Sequence, residues 1–126
     1  MKGTVLIVDD DVAVCEGLKV VLELAGHPVQ TCGGAAEAIR AVRATEPALM
    51  VIDCNMPDMS GTRTTELIRA IPSEVPIIGI SAEPRREVEM RLAGVTTFLP
   101  KPLGMERFTE TVARLLGEAS HEAVAG

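Results

Sequence analysis

Val5-Leu6-Ile7-Val8 runs directly into Asp9-Asp10-Asp11, and Val14, Leu18, Val21 and Leu22 then recur at helical spacing. Four consecutive aliphatic residues with no polar alternation read as a strand covered on both faces, which is the mark of a parallel sheet. The unit is therefore strand, acidic turn, helix. Working outward, aliphatic runs return at Val29 to Cys32, Ala48-Leu49-Met50-Val51-Ile52, Pro76-Ile77-Ile78-Gly79-Ile80 and Thr97-Phe98-Leu99. Helical periods lie between and after them: Ala35, Ile39 and Val42; Leu67, Ile68 and Ile71; Val88 and Leu92; Phe108, Val112, Leu115 and Leu116. Gly26 and Gly94 suit positions just past helix ends, Gly33-Gly34 a strand-to-helix turn, and Glu83-Pro84 the first turn of a helix. Five such units with short connections require right-handed crossovers. They predict an α/β fold, a doubly wound five-stranded parallel sheet with five helices on its two faces.

The chain has 126 residues, 47% hydrophobic and 24% charged, enough for one domain with a packed core. Residues 1–117 read as that domain, and the Ala- and Glu-rich residues 118–126 as a C-terminal helix extension or a linker remnant. The net charge of −6 has the wrong sign for a phosphate backbone, and with 2 Phe, no Tyr and no Trp there is no platform for stacking bases. Nucleic-acid binding by this domain is excluded. Three cysteines, Cys15, Cys32 and Cys54, form no paired framework and point to reduced thiols and a cytoplasmic location. The apolar stretch before Asp9 is too short for a signal-peptide core or a membrane span, so no membrane association is expected.

In a doubly wound sheet, ligands sit beyond the carboxyl ends of the strands. Those ends present Asp9, Asp10 and Asp11 from the first strand, Asp53 from the third, Ser81 from the fourth, and Lys101, between Pro100 and Pro102, from the fifth. Four of the chain's five aspartates are in this set, and Lys101 is one of only three lysines against nine arginines. Three carboxylates at one edge repel by about 4 kcal/mol per pair at an effective dielectric near 20. Lys101 offsets part of this, and a hard divalent cation, Mg²⁺, supplies the rest while leaving a position for a phosphate oxygen. Asp53 is then the candidate nucleophile for an acyl phosphate. Taken singly, each residue has a plainer reading: Asp11 as a helix cap, Ser81 as a turn residue, Lys101 as a solvated loop side chain. Their convergence on one edge favours a site. Cys54 reads as a small apolar filler, His27 and His121 as surface residues, and the charged residues 83–91 as the wet face of a helix. An alternative is a small Mg²⁺-dependent phosphatase of the haloacid dehalogenase type, which also uses an Asp after its first strand, a Ser or Thr and a Lys. That chemistry needs further acids after the lysine and a cap domain, and no Asp follows Lys101. A flavodoxin-like nucleotide binder needs a phosphate cradle where this chain has three carboxylates.

Val5 to Asp10, Val51 to Gly61, Ile80-Ser81-Ala82 and Phe98-Leu99-Pro100-Lys101-Pro102 together resemble the receiver domain of two-component response regulators. The resemblance covers nearly the whole chain. It implies the flavodoxin-like strand order 2-1-3-4-5, with Asp53 as phospho-acceptor and a member of the Mg²⁺ site, Asp10 as a direct Mg²⁺ ligand, Asp9 as a ligand through water and Asn55 contributing its backbone carbonyl. It further implies that Ser81 follows the phosphoryl group, that Lys101 pairs with it, and that Lys101-Pro102 is a cis peptide. Phe98 stands where the family has an aromatic ring that swings inward on activation, and Gly61 matches the glycine after the phosphorylation loop. The implied function is a phospho-acceptor switch rather than an enzyme. Its donor would be a sensor histidine kinase, a phosphotransfer protein or a small phosphodonor, and its only reactions self-phosphorylation and autodephosphorylation. The surface of helix 4, strand 5 and helix 5 would signal to a downstream protein partner or a fused output domain.

Overall fold

A computed structural model describes residues 3–117. Strands β1 (Val5–Val8), β2 (Val29–Cys32), β3 (Leu49–Asp53), β4 (Ile77–Ser81) and β5 (Thr97–Pro100) alternate with helices α1 (Val12–Leu24), α2 (Ala35–Thr45), α3 (Gly61–Ala70), α4 (Arg86–Ala93) and α5 (Met105–Leu115). All strand pairs are parallel and the order is β2-β1-β3-β4-β5, the doubly wound, flavodoxin-like arrangement. The candidate expectation for residues 118–126 and for His121 lies outside the described residues.

Successive strand residues feed opposite faces of the sheet, and the core divides accordingly. Leu6, Val8, Met50, Ile52, Ile77 and Phe98 pack with Ala38 and Val42 of α2, Ile68 of α3 and Met90 of α4. Val5, Ile7, Val51, Ile78, Ile80 and Leu99 pack with Cys15, Leu18 and Leu22 of α1 and Phe108 and Val112 of α5. Every residue of β1, β3 and β4 is buried, as their unbroken aliphatic runs require.

Three expectations are corrected. In β2 only Cys32 is buried, because β2 is an edge strand and its Gln30 and Thr31 meet solvent from one side. In α4 the apolar pair Val88 and Leu92 is exposed, at 67% and 83%, while Met90 is buried; the helix is only 8 residues long and anchors by one flexible side chain. Gly79 of β4 makes room for it, since a Cβ there would stand 3.0 Å from the Met90 sulfur. His27 is buried at 4% rather than on the surface, because its backbone N–H closes the end of α1 on the Leu22 carbonyl and draws the residue under the helix.

Candidate functional site

Strand register delivers the site. Asp53 and Ser81 are the last residues of β3 and β4, Asp9 directly follows β1, and Lys101 directly follows β5. The ladder continues past the strands, with Asp9 N–H donating to the Cys32 carbonyl and Lys101 N–H to the Ser81 carbonyl, so these backbones are fixed by neighbouring strands. The Lys101–Pro102 peptide is cis.

Lys101 Nζ lies 2.8 Å from Asp53 Oδ1 and 3.2 Å from Asp9 Oδ2. The remaining oxygens accept backbone N–H groups: Asp53 Oδ2 from Asn55 at 3.1 Å, and Asp9 Oδ1 from Asp11 at 2.9 Å. Asp9 and Asp53 are buried at 2% and 4%, whereas Asp10 is exposed. Oxygens of Asp9, Asp10 and Asp53 all lie within 4.8 Å of one another. Three carboxylates against one ammonium leave two negative charges uncompensated, and the donors are oxygens only; this is the donor set of a hard divalent cation such as Mg²⁺. Burial, with help from the Asp9 charge, lifts the Asp53 carboxyl above its ordinary range despite the Lys101 hydrogen bond. Burial works against the Lys101 ammonium, yet Asp53 and then Asp9 hold its pKa above the usual value. Geometry explains both: one cation serves two buried anions, so the cation is over-supplied with partners and each anion under-supplied.

Asp11 is the N-cap of α1, its Oδ1 accepting from Ala13 and Val14 N–H, and it stands apart from the carboxylate cluster. Ser81 is fully buried and its Oγ accepts the Glu83 N–H at 3.0 Å. Phe98 is inside, 5% exposed in the core that holds Met90 and Val95. Gly61 is required: a Cβ there would run into the Asp53 carbonyl, and its N–H closes the loop on the Cys54 carbonyl at 2.7 Å. Cys54 is buried in the core, and burial raises its thiol pKa.

Two features escape the sequence. Glu83 accepts from the Asn55 amide and Arg85 and forms a longer ion pair, 3.6 Å, with Arg86; Arg86 donates to Glu89; and Glu89 accepts the Thr62 hydroxyl at 2.6 Å, tying α4 and the loop before it to α3. The charged residues 83–91 are thus partly knitted inward rather than simply wet. The fifth aspartate, Asp58, accepts the Ala35 and Ala36 N–H groups at the start of α2. Its only sequence signal is that α2 opens on Gly33-Gly34, with no capping side chain of its own.

Comparison with known proteins finds that a family model, the response regulator receiver domain, matches residues 5–113. The chain belongs to that family. The receiver is 36% identical over 116 residues to the transcriptional regulatory protein PrrA of Mycobacterium leprae (strain TN), a match covering 89% of this chain and 49% of PrrA. It spans about half the length of the curated relatives it matches. Among solved structures, a CheY-like response regulator receiver domain protein from Methanospirillum hungatei JF-1 superposes with TM-score 0.87 at 27% identity, covering 97% of this chain and 99% of the other. The chemotaxis response regulator CheY4 of Vibrio cholerae does so with TM-score 0.86 at 27% identity, covering 91% and 99%. The receiver is a phospho-acceptor switch domain of two-component signalling, and the dehalogenase-type phosphatase reading has no support.

Proposed function

We propose that Asp53 accepts the phosphoryl group, on the strength of one observation: a buried carboxylate at a strand end, paired at 2.8 Å with Lys101 and within 4.8 Å of two further carboxylates. An Asp53 oxygen attacks phosphorus in line; the P–N bond of a phosphohistidine, or the P–O bond of a small acyl phosphate, breaks and its electron pair leaves with the donor. Lys101 meets one equatorial oxygen of the transferring group and the Ser81 hydroxyl donates to another. Water later attacks the phosphorus, releasing inorganic phosphate and restoring the Asp53 carboxylate. Asp10 and Asp53 would hold Mg²⁺ directly, Asp9 through water and Asn55 by its backbone carbonyl, since the Asn55 side chain is engaged by Glu83. The ion, when bound, supplies charge neutralisation at the phosphoryl oxygens.

The donor is a sensor histidine kinase or a phosphotransfer protein in the cytoplasm, and the output is a partner protein or a fused domain. The match to half of a transcriptional regulatory protein supports the fused arrangement. Among the described residues, no helix is long and apolar enough to cross a membrane. Incubation with acetyl phosphate and Mg²⁺ is expected to add one phosphoryl group, lost under mild alkali or hydroxylamine, and Asp53→Asn to abolish it. Undiminished labelling of Asp53→Asn overturns the assignment.

A further inference from the structure

The connection between β3 and α3, residues 54–60, carries Asn55, and three ties hold it. At its start Asn55 N–H bonds Asp53 Oδ2 and the Asn55 amide bonds Glu83. At its end Gly61 N–H bonds the Cys54 carbonyl. At its middle, Asp58 Oδ1 accepts Ala35 N–H at 3.1 Å and Oδ2 accepts Ala36 N–H at 3.3 Å. Helix α2 has no side-chain cap of its own, because its N-cap is Gly34. A cap from a residue 23 positions away therefore replaces the local one. The α2 end is cut to receive it: a Cβ on Gly34 would stand 3.0 and 3.1 Å from the two Asp58 oxygens, tighter than ordinary contact. Gly34 has φ −171°, which any residue can adopt, so the glycine serves the space and not the backbone. Both Asp58 oxygens are used, and these two N–H groups hold its carboxyl below the ordinary range.

We propose that Asp58 is a positioning residue for the metal-binding side of the site. By capping α2 from the β3–α3 connection, it fixes the short segment 55–58 and with it the backbone carbonyl of Asn55. The inference rests on the reading of Asn55 as a Mg²⁺ ligand. A carbonyl on a loop tied only at its two ends samples more positions, and Mg²⁺ tolerates little departure from octahedral geometry. Loss of the cap should therefore weaken Mg²⁺ more than it weakens the fold.

The test is calorimetric titration of Mg²⁺ into the folded protein, with thermal melts alongside; the absence of Trp and Tyr rules out an intrinsic fluorescence signal from either residue. Asp58→Ala is expected to raise the Mg²⁺ dissociation constant by about 10-fold, the lower end of the range for outer-shell partners of metal ligands. Gly34→Ala, which leaves the sequence of residues 54–60 unchanged and pushes the carboxylate back by a few tenths of an ångström, should weaken Mg²⁺ in the same direction but by less. The double variant should be no worse than Asp58→Ala alone, because both substitutions act on the same contact. Asp58→Asn keeps one acceptor oxygen, enough for the Ala35 N–H, but turns an NH2 toward the Ala36 N–H, so its Mg²⁺ dissociation constant should fall between wild type and Asp58→Ala. If Asp58→Ala and Gly34→Ala lose amide protection at Ala35 and Ala36 yet bind Mg²⁺ as wild type does, the cap is structural only and the proposal falls while the metal reading stands. If wild type itself does not bind Mg²⁺, both fall.

Discussion

Asp53 and Asp9 divide one ammonium between them, and Asp10 adds a third carboxylate whose charge has no cation at all within the cluster. At the observed separations each carboxylate pair repels by roughly 3–4 kcal/mol at an effective dielectric near 20. The receiver should therefore be less stable without a divalent cation than with one. Saturation at about a hundredfold over the dissociation constant is expected to stabilise it by about 2.7 kcal/mol. Asp10→Ala should raise the melting temperature in chelator and abolish the response to Mg²⁺; an equal Mg²⁺-induced shift in wild type and Asp10→Ala counts against the cluster. Lys101→Ala tests the other sign. Removing the one cation leaves two buried carboxylates facing each other, with an expected loss of roughly 3 kcal/mol in chelator. Part of it should return with millimolar Mg²⁺, because the ion replaces the missing charge. A Lys101→Ala melt identical to wild type in chelator would show that the ammonium contributes nothing to the resting site.

At the level of elements, the β1 run with Asp9-Asp10 was legible because a parallel strand buried on both faces leaves no room for polar alternation, and because carboxylates gathered at strand ends need a counter-charge. Asp53 as the candidate nucleophile and Lys101 as its counter-charge follow from that, whereas the strand order β2-β1-β3-β4-β5 was implied only by the family resemblance. What stayed hidden depends on contacts between distant segments. The Val88 and Leu92 spacing looks like a buried face, but tertiary packing chose Met90, for which Gly79 on a neighbouring strand leaves space. Asp58 looks like a turn residue until α2 is set beside it. Two predictions belong here. Gly17 sits mid-way in α1 with open space where a Cβ would go, so Gly17→Ala should stabilise the fold by about 0.5–1 kcal/mol, read from a urea melt. Glu89 ties α4 to Thr62, and that hydroxyl, followed by Arg86, holds its carboxyl below the ordinary range. A carboxyl depressed in the folded state contributes stability above the unfolded value of about 4.3, and the contribution is lost as pH falls through the folded value. Glu89→Gln should therefore melt below wild type at pH 7 and converge with it below about pH 4. A gap that persists unchanged into acid would show that the charge of Glu89 is not what fastens the helix.

Across the whole molecule, if Asp53 is the acceptor as proposed, the question is how a group on it reaches the surface of α4, β5 and α5. A phosphoryl group brings about two negative charges, and Lys101 is already shared by two carboxylates. Ser81 remains. Its oxygen accepts the Glu83 N–H, which leaves the hydroxyl proton to donate, and donation requires an approach to about 2.7 Å. Drawing Ser81 toward Asp53 pulls on Glu83, whose side chain holds Asn55, Arg85 and Arg86 together; Arg86 in turn holds Glu89, and Glu89 holds Thr62. Movement of the loop before α4 therefore has to exchange these pairs. Phe98 is buried in the core with Met90 of α4, so it fills space that α4 packs against. Phe98→Ala should accordingly destabilise the fold by about 3–5 kcal/mol in resting and activated states alike. Beryllofluoride with Mg²⁺ should change amide exchange across residues 83–91 and 97–103 in wild type. Ser81→Ala should still accept phosphoryl from acetyl phosphate but lose most of that exchange response, since the pull on Glu83 is gone. Equal exchange changes in wild type and Ser81→Ala would place the coupling route elsewhere than through Ser81.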